Sequence, residues 1–179
     1  MPLLRPITPA DHAFVLDLNH HNVELLSPLD QDRLGTLLDW ADRADVIEHE
    51  GRPAGFVLTF APGSSYDSEN YRWFSDHFGD AFLYLDRIVL DHRFRRLGLG
   101  RRVYDELERH AATYGRMVLE VNAEPPNQAS LDFHRNRGYT EVHRLGSTPG
   151  STPAPTKIVA LMERVLGQTR PITPVADRD

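Results

Sequence analysis

The chain opens with apolar residues at helical spacing. In ITPADHAFVLDLNHHNVELLS, Phe14, Val15 and Leu18 precede Leu25 and Leu26, with Thr8 placed as N-cap and Pro9 at the first helical position. This predicts a helix broken around Asn19 to Asn22. Leu34, Leu37, Leu38 and Ala41 repeat the spacing behind Asp30, predicting a second helix weakened by Gly35. The period then shortens: DVIEHE and AGFVLTFAP, joined by GRP, predict a hairpin. GSSYDSENYRWFSDHFGD breaks the pattern with turn formers and five aromatics, which predicts a long functional loop able to cover a site. AFLYLDRIVL is an apolar run rich in β-formers and predicts a central strand. Beyond it, Leu99, Val103, Leu107, Ala111 and Tyr114 mark one face of a helix that Gly115 stops. RMVLEVNAE predicts a strand, PPNQASLDFHRNRG a short helix capped by Asn127, and YTEVHRL and TKIVALMERVL two final strands. GSTPGSTPAPT is a turn-rich connection between them. The alternation of strands and helices predicts one mixed α/β domain over residues 1–166, with a loose tail over 167–179.

Composition narrows the function classes. The 179 residues are 40% hydrophobic and 26% charged, as in an ordinary globular domain. No cysteine occurs, which excludes thiol nucleophiles, disulfides and zinc-thiolate sites. The N-terminus lacks a leader-like apolar run and no stretch could span a bilayer, so a cytoplasmic location is expected. A net charge of −6 argues against nucleic acid or an anionic membrane as partner. Nine histidines lack metal-ligand spacing: His20 and His21 are adjacent and point apart on a helix, so no metal site is expected.

Against that acidic background, RRLGLGRR stands out. From His92 to Arg102 there are five arginines and no acid, at a strand-to-helix turn. The first turn of a helix carries N–H groups without intrahelical partners and a partial positive charge, which together suit an anion. A phosphate-binding P-loop would need GxxxxGK[ST], and no lysine is near. A dinucleotide fingerprint would need a third glycine where Val103 stands. The pattern that fits is [QR]xxGx[GA], met by Arg95, Gly98 and Gly100.

With LDRIVLDHRFRRLGLGRRVYDELERHA and the downstream NQASLDFHRNRGY, similar to NxxSxxFYxxxGF, the chain resembles the GNAT superfamily of acyl-CoA-dependent N-acyltransferases between about Phe82 and Val142. The resemblance implies a twisted, mostly antiparallel sheet with a splayed central parallel pair, flanking helices, and acetyl-CoA in the gap. It places the pyrophosphate on the turn of Arg95, Arg96, Leu97, Gly98, Leu99, Gly100 and Arg101. The pantetheine arm would meet the main chain of Ile88, Val89 and Leu90, then Asn127, with the thiol end near Phe133 and His134. The family commonly holds the developing oxyanion on a central-strand N–H, here that of Leu90 or Val89.

The resemblance implies transfer of an acetyl group from acetyl-CoA to a small-molecule primary amine, needing a base and a proton for the thiolate. The family's motif tyrosine is replaced by His134, a candidate acid. Asp86 is a candidate base because its strand parity matches Ile88 and Leu90, with Tyr84 further out on the same face; Glu120 is a second. The acceptor pocket is expected from Asn19, Asn22, Tyr66, Tyr71, Trp73, Phe74 and Tyr84, with Asp67, Glu69 and Asn70 nearby. Carboxylates among aromatics favour an amine. A non-catalytic CoA-binding module and a peptide or protein N-acetyltransferase are the alternatives, and a homodimer is left open.

Overall fold

A computed structural model describes residues 3–146 and 157–167. In chain order these form β1 (Leu4–Pro6), α1 (His12–His20), α2 (Gln31–Trp40), β2 (Arg43–His49), β3 (Arg52–Phe60) and α3 (Glu69–Phe78). There follow β4 (Leu83–Leu90), α4 (Leu99–Ala111), β5 (Arg116–Glu124), α5 (Gln128–Asn136), β6 (Thr140–Gly146) and β7 (Ile158–Val165). The strands make one seven-stranded sheet in the order β1-β2-β3-β4-β5-β7-β6. Only the central β4–β5 pair is parallel.

Two cores lie on the two faces of that sheet. Val103, Tyr104, Leu107 and Ala111 of α4 and Leu131 of α5 pack on Leu83, Leu85, Met117 and Leu119. On the other face, Val15 and Leu18 of α1, Leu34 and Leu37 of α2, and Tyr71 and Phe74 of α3 pack on Phe56, Leu58, Tyr84 and Val118. Strand residues alternate between the cores, as the pleat requires.

Two irregularities make room for a site. β4 and β5 pair only from Leu83↔Met117 to Leu85↔Leu119, and then diverge for the rest of their length. Opposite β3, Leu58 pairs with Arg87 and Thr59 with Leu85, so Asp86 is the extra residue of a β-bulge. The bulge reverses the alternation. Tyr84 lies in the α1–α3 core, whereas Ile88 and Leu90 pack against the α4–α5 core. Tyr84 therefore does not share the face of Ile88 and Leu90, contrary to the unbroken parity expected from sequence.

Two elements differ from the sequence expectation. Leu4–Pro6 forms a three-residue edge strand, too short and too close to proline for periodicity to reveal. The aromatic segment expected as a long loop contains α3. Ser68 caps it by accepting from the Tyr71 N–H, Tyr71 and Phe74 turn inward one helical turn apart, and Gly79 ends it at φ +56°. The 147–156 connection and residues 168–179 of the expected tail lie outside the described residues.

Candidate active site

The glycine-arginine turn leads from β4 into α4. Asp91 caps it by accepting from the Arg93 N–H at 2.9 Å. Arg96 and Gly98 both take positive φ, +64° and +72°, so the backbone curls just before α4 begins. Open space surrounds the Cβ position of Gly98, so its requirement is conformational rather than steric. A Cβ on Gly100 would meet Leu90 at an ordinary 3.6 Å, so protein packing does not demand that glycine. Arg95, Arg96, Arg101 and Arg102 are exposed, as is Leu97 at 50%, and no hydrogen bond or ion pair within the described residues engages the four arginines. Unpaired helix N–H groups ringed by free guanidinium groups suit the pyrophosphate of a coenzyme A ester.

A cavity of about 430 Å³ occupies the gap between the diverging strands. Its β4 wall can be oriented from one bond. The Asp91 N–H donates to Ala54 on β3, so by antiparallel alternation Val89 also turns its main chain to β3. Ile88 and Leu90 turn theirs into the gap. On the α4–α5 side the walls include Tyr104, Asn127, Ser130 and His134. Asn127 accepts from the Ser130 N–H as the α5 cap. Phe133 is 37% exposed and lies edge-on to Tyr104 without lining the cavity.

His134 is fixed by two partners. Its Nδ1 lies 2.7 Å from the Ser130 carbonyl oxygen, which can only accept, so Nδ1 carries the proton. Nε2 then accepts from the Tyr104 hydroxyl at 2.6 Å. Burial lowers the histidine's pKa. Expected as a proton donor, His134 is in this arrangement a neutral acceptor, and Tyr104 holds the shared proton.

On the α1–α3 side, the carboxylates of Glu69, Asp86 and Glu120 line the cavity. Glu120 accepts from the Tyr84 hydroxyl at 2.5 Å, and Asn70 shares the cavity wall with it. It keeps some surface toward the cavity yet lies deep in protein. Burial and the nearby Asp86 charge push its pKa up to about 7, against the smaller opposing effect of hydrogen bonding. Asp86 is bonded on both oxygens, from the Tyr66 hydroxyl at 2.5 Å and Arg87 Nε at 2.6 Å. Arg87 also donates to Asn19 at 2.9 Å, and its side chain and that of Asp86 are 5% and 6% exposed. Asp86 is thus half of a closed buried ion pair.

Of the seven side chains expected at the acceptor pocket, Asn22 lines this cavity. Asn19 is buried, bridging Arg87 and the Ser27 carbonyl. Tyr71, Phe74 and Tyr84 are core, and Tyr66 stacks on Phe60 while holding Asp86. Trp73 stacks between His77 and His143, away from the cavity. Periodicity gave no signal for Arg87 or Tyr104. Each reads as an ordinary strand or helix position until the fold sets Asp86 or His134 beside it. Among the described residues no cluster of His, Cys, Asp or Glu could hold a metal, and no helix is long and apolar enough to cross a membrane.

The model of the acetyltransferase (GNAT) family matches residues 12–139, across the gap, the turn and α5. The chain belongs to this family. Phosphinothricin N-acetyltransferase of Streptomyces viridochromogenes is 25% identical over 143 residues, 76% of this chain and 73% of that protein. Among solved structures, ribosomal-protein-alanine N-acetyltransferase from Brucella melitensis superposes with a TM-score of 0.67 at 21% identity, over 92% of this chain and 100% of that one. The yncA acetyltransferase of Salmonella typhimurium, solved with its cofactor acetyl-CoA, gives 0.65 at 18% identity over 97% and 98%. The splayed parallel pair is thus the GNAT fold, and the chain is a GNAT N-acetyltransferase.

Proposed function

We propose that the chain transfers the acetyl group of acetyl-CoA to the primary amine of a small molecule by direct attack, with Glu120 as base. The observation that supports this most is a cavity-facing carboxylate with a pKa pushed up to about 7 and an uncharged phenol as its hydrogen-bond donor. A base so poised takes a proton at neutral pH without being consumed by a salt bridge. Bound acetyl-CoA supplies the acetyl group as an activated thioester. The first turn of α4 and its arginines hold the pyrophosphate, and the main chain of Ile88 and Leu90 aligns the pantetheine arm. The Leu90 N–H, turned into the gap, is the donor for charge developing on the thioester oxygen. Glu120 takes, at Oε1 or Oε2, the proton that the cationic amine sheds before attack, and the proton lost from nitrogen as the C–N bond forms passes to the departing thiolate, while Asp86 and Arg87 neutralise one another beside the site. Tyr104 carries the proton-bearing hydroxyl of the α4–α5 wall, and His134 orients it.

Incubation with acetyl-CoA and a panel of amines, read by thiol release and product mass, tests this. Acetylated product from a small amine is expected. Tight acetyl-CoA binding with no turnover across the panel would instead support a non-catalytic module, and turnover confined to peptides would support a protein N-acetyltransferase.

A further inference from the structure

The charges and apolar surfaces on the Glu120 side of the cavity bear on which amine enters there, granted the acetyl-transfer reading above. Glu69, Asp86 and Glu120 all line the cavity, with Arg87 and Lys157 as its cations. Arg87 is 5% exposed and bonded to Asp86 and Asn19. Lys157 stands four residues before Leu161, the strand partner of Glu120. At ~3.3 Å per residue, about 13 Å of strand separates them. A carboxylate on the carbon that bears an amine lies within about 4 Å of the nitrogen. With its amine at Glu120, such a group would sit among carboxylates, and Arg87, the cation beside them, is already committed to Asp86 and Asn19.

Part of the remaining wall is apolar. Leu26, Leu145 and Val159 line the cavity and pack on the α1–α3 core. Leu25 lines it too and is 51% exposed, a large apolar side chain left open to solvent at the site. Asn22, Ser27, Asn70 and Asn122 add polar groups to the wall without adding charge.

We infer that the acceptor is a hydrophobic small-molecule primary amine with no carboxylate on the carbon that bears its nitrogen. Its aliphatic or aromatic group packs on Leu25, Leu26, Leu145 and Val159, and its ammonium enters among Glu69, Asp86 and Glu120. The excess of negative charge favours the cationic form on entry; Glu120 takes one of its protons before attack, and the next passes to the departing thiolate as the amide forms.

The test compares isoamylamine, L-leucinamide, L-leucine and spermidine at saturating acetyl-CoA, with kcat/KM expressed per unprotonated amine. L-leucinamide and L-leucine share a side chain and differ in the charge beside the nitrogen. The amide is expected to exceed the acid at least about tenfold, since like charges would be forced together in the latter. Equal or faster turnover of L-leucine overturns the exclusion, and spermidine as the best of the four overturns the apolar wall. An L-leucyl tetrapeptide outrunning L-leucinamide would overturn the assignment to a small amine. Leu25→Asp, at an exposed position, should lower kcat/KM for isoamylamine at least about tenfold with acetyl-CoA affinity unchanged; an unchanged kcat/KM removes Leu25 from the acceptor wall. Failure of acetyl transfer itself looks different: no amine in the panel would release thiol above background.

Discussion

Asp86 on β4 and Glu120 on β5 line one cavity from neighbouring strands, yet their surroundings fit them for opposite work. The bulge at Asp86 swings that carboxylate against Arg87, and the phenol of Tyr66 closes its second oxygen. Glu120 has an uncharged partner, the phenol of Tyr84, and a pKa near neutrality. Burial alone does not make a base. What differs is the donor beside each carboxylate: a guanidinium already paired with Asp86, and a neutral phenol that leaves Glu120 able to take a proton.

The largest expected effect follows directly. Glu120→Gln keeps the shape and removes the base, so kcat should fall about 10²- to 10⁴-fold with acetyl-CoA affinity unchanged. Steady-state kinetics with isothermal titration would check both, and near wild-type kcat would end the assignment of Glu120. In the unaltered chain, kcat/KM should rise with pH through about 7, as Glu120 loses its proton in the free enzyme.

The same substitution at Asp86 should be felt first in stability. Asp86→Asn leaves the Arg87 guanidinium buried without its counter-ion, at a cost of about 3 to 5 kcal/mol in urea unfolding. Its effect on rate should be smaller than that of Glu120→Gln. Because the Asp86 charge raises the Glu120 pKa, its removal should also move the acidic limb of the rate profile to lower pH. A profile that stays in place would mean that the two carboxylates are not coupled.

Glu120→Gln should act on stability in the opposite direction. Glu120 has a folded-state pKa above its unfolded one, so its contribution is full below the ordinary carboxylate range and is lost as pH rises through about 7. The loss amounts to about 2 to 3 kcal/mol by pH 8. A neutral glutamine escapes it, so the inactive variant should be more stable than wild type at pH 8 by about 1 to 2 kcal/mol, and less so at pH 5. Equal stabilities at both pH values would deny that Glu120 is held protonated by its surroundings.

The two halves of the site were unequally legible in the sequence. The proposed cofactor half is written locally: Arg95, Gly98 and Gly100 are close neighbours, and a helix N-terminus offers the same chemistry wherever it occurs. The strands and the helix faces followed from periodicity for the same reason, whereas the splayed pair was implied by the resemblance to the GNAT superfamily. The acceptor half joins Asn22, Asn70, Glu120 and Leu145, which only the fold brings together. Aromatic residues drew attention to the segment around Trp73, but Tyr71 and Phe74 are there to bury α3. Parity misplaced Tyr84 because one extra residue in β4 leaves no mark on an apolar pattern. The exchange of tyrosine for histidine at residue 134 was visible, but its meaning was not, since Tyr104 lies thirty residues away on another helix.

The finest test of the two carboxylates lies in their phenols. Tyr84 donates to Glu120 and holds its pKa down, against burial. Tyr84→Phe should therefore raise that pKa and carry the acidic limb to higher pH, with a rate about two- to threefold lower at pH 6.5 that recovers at pH 8. Tyr66→Phe removes the corresponding bond to Asp86, where Arg87 still holds the charge. It should cost about 1 kcal/mol of stability and leave the limb nearly where it was. If instead Tyr66→Phe moves the limb and Tyr84→Phe does not, the base is Asp86, and the contrast drawn between the two carboxylates fails in the molecule that suggested it.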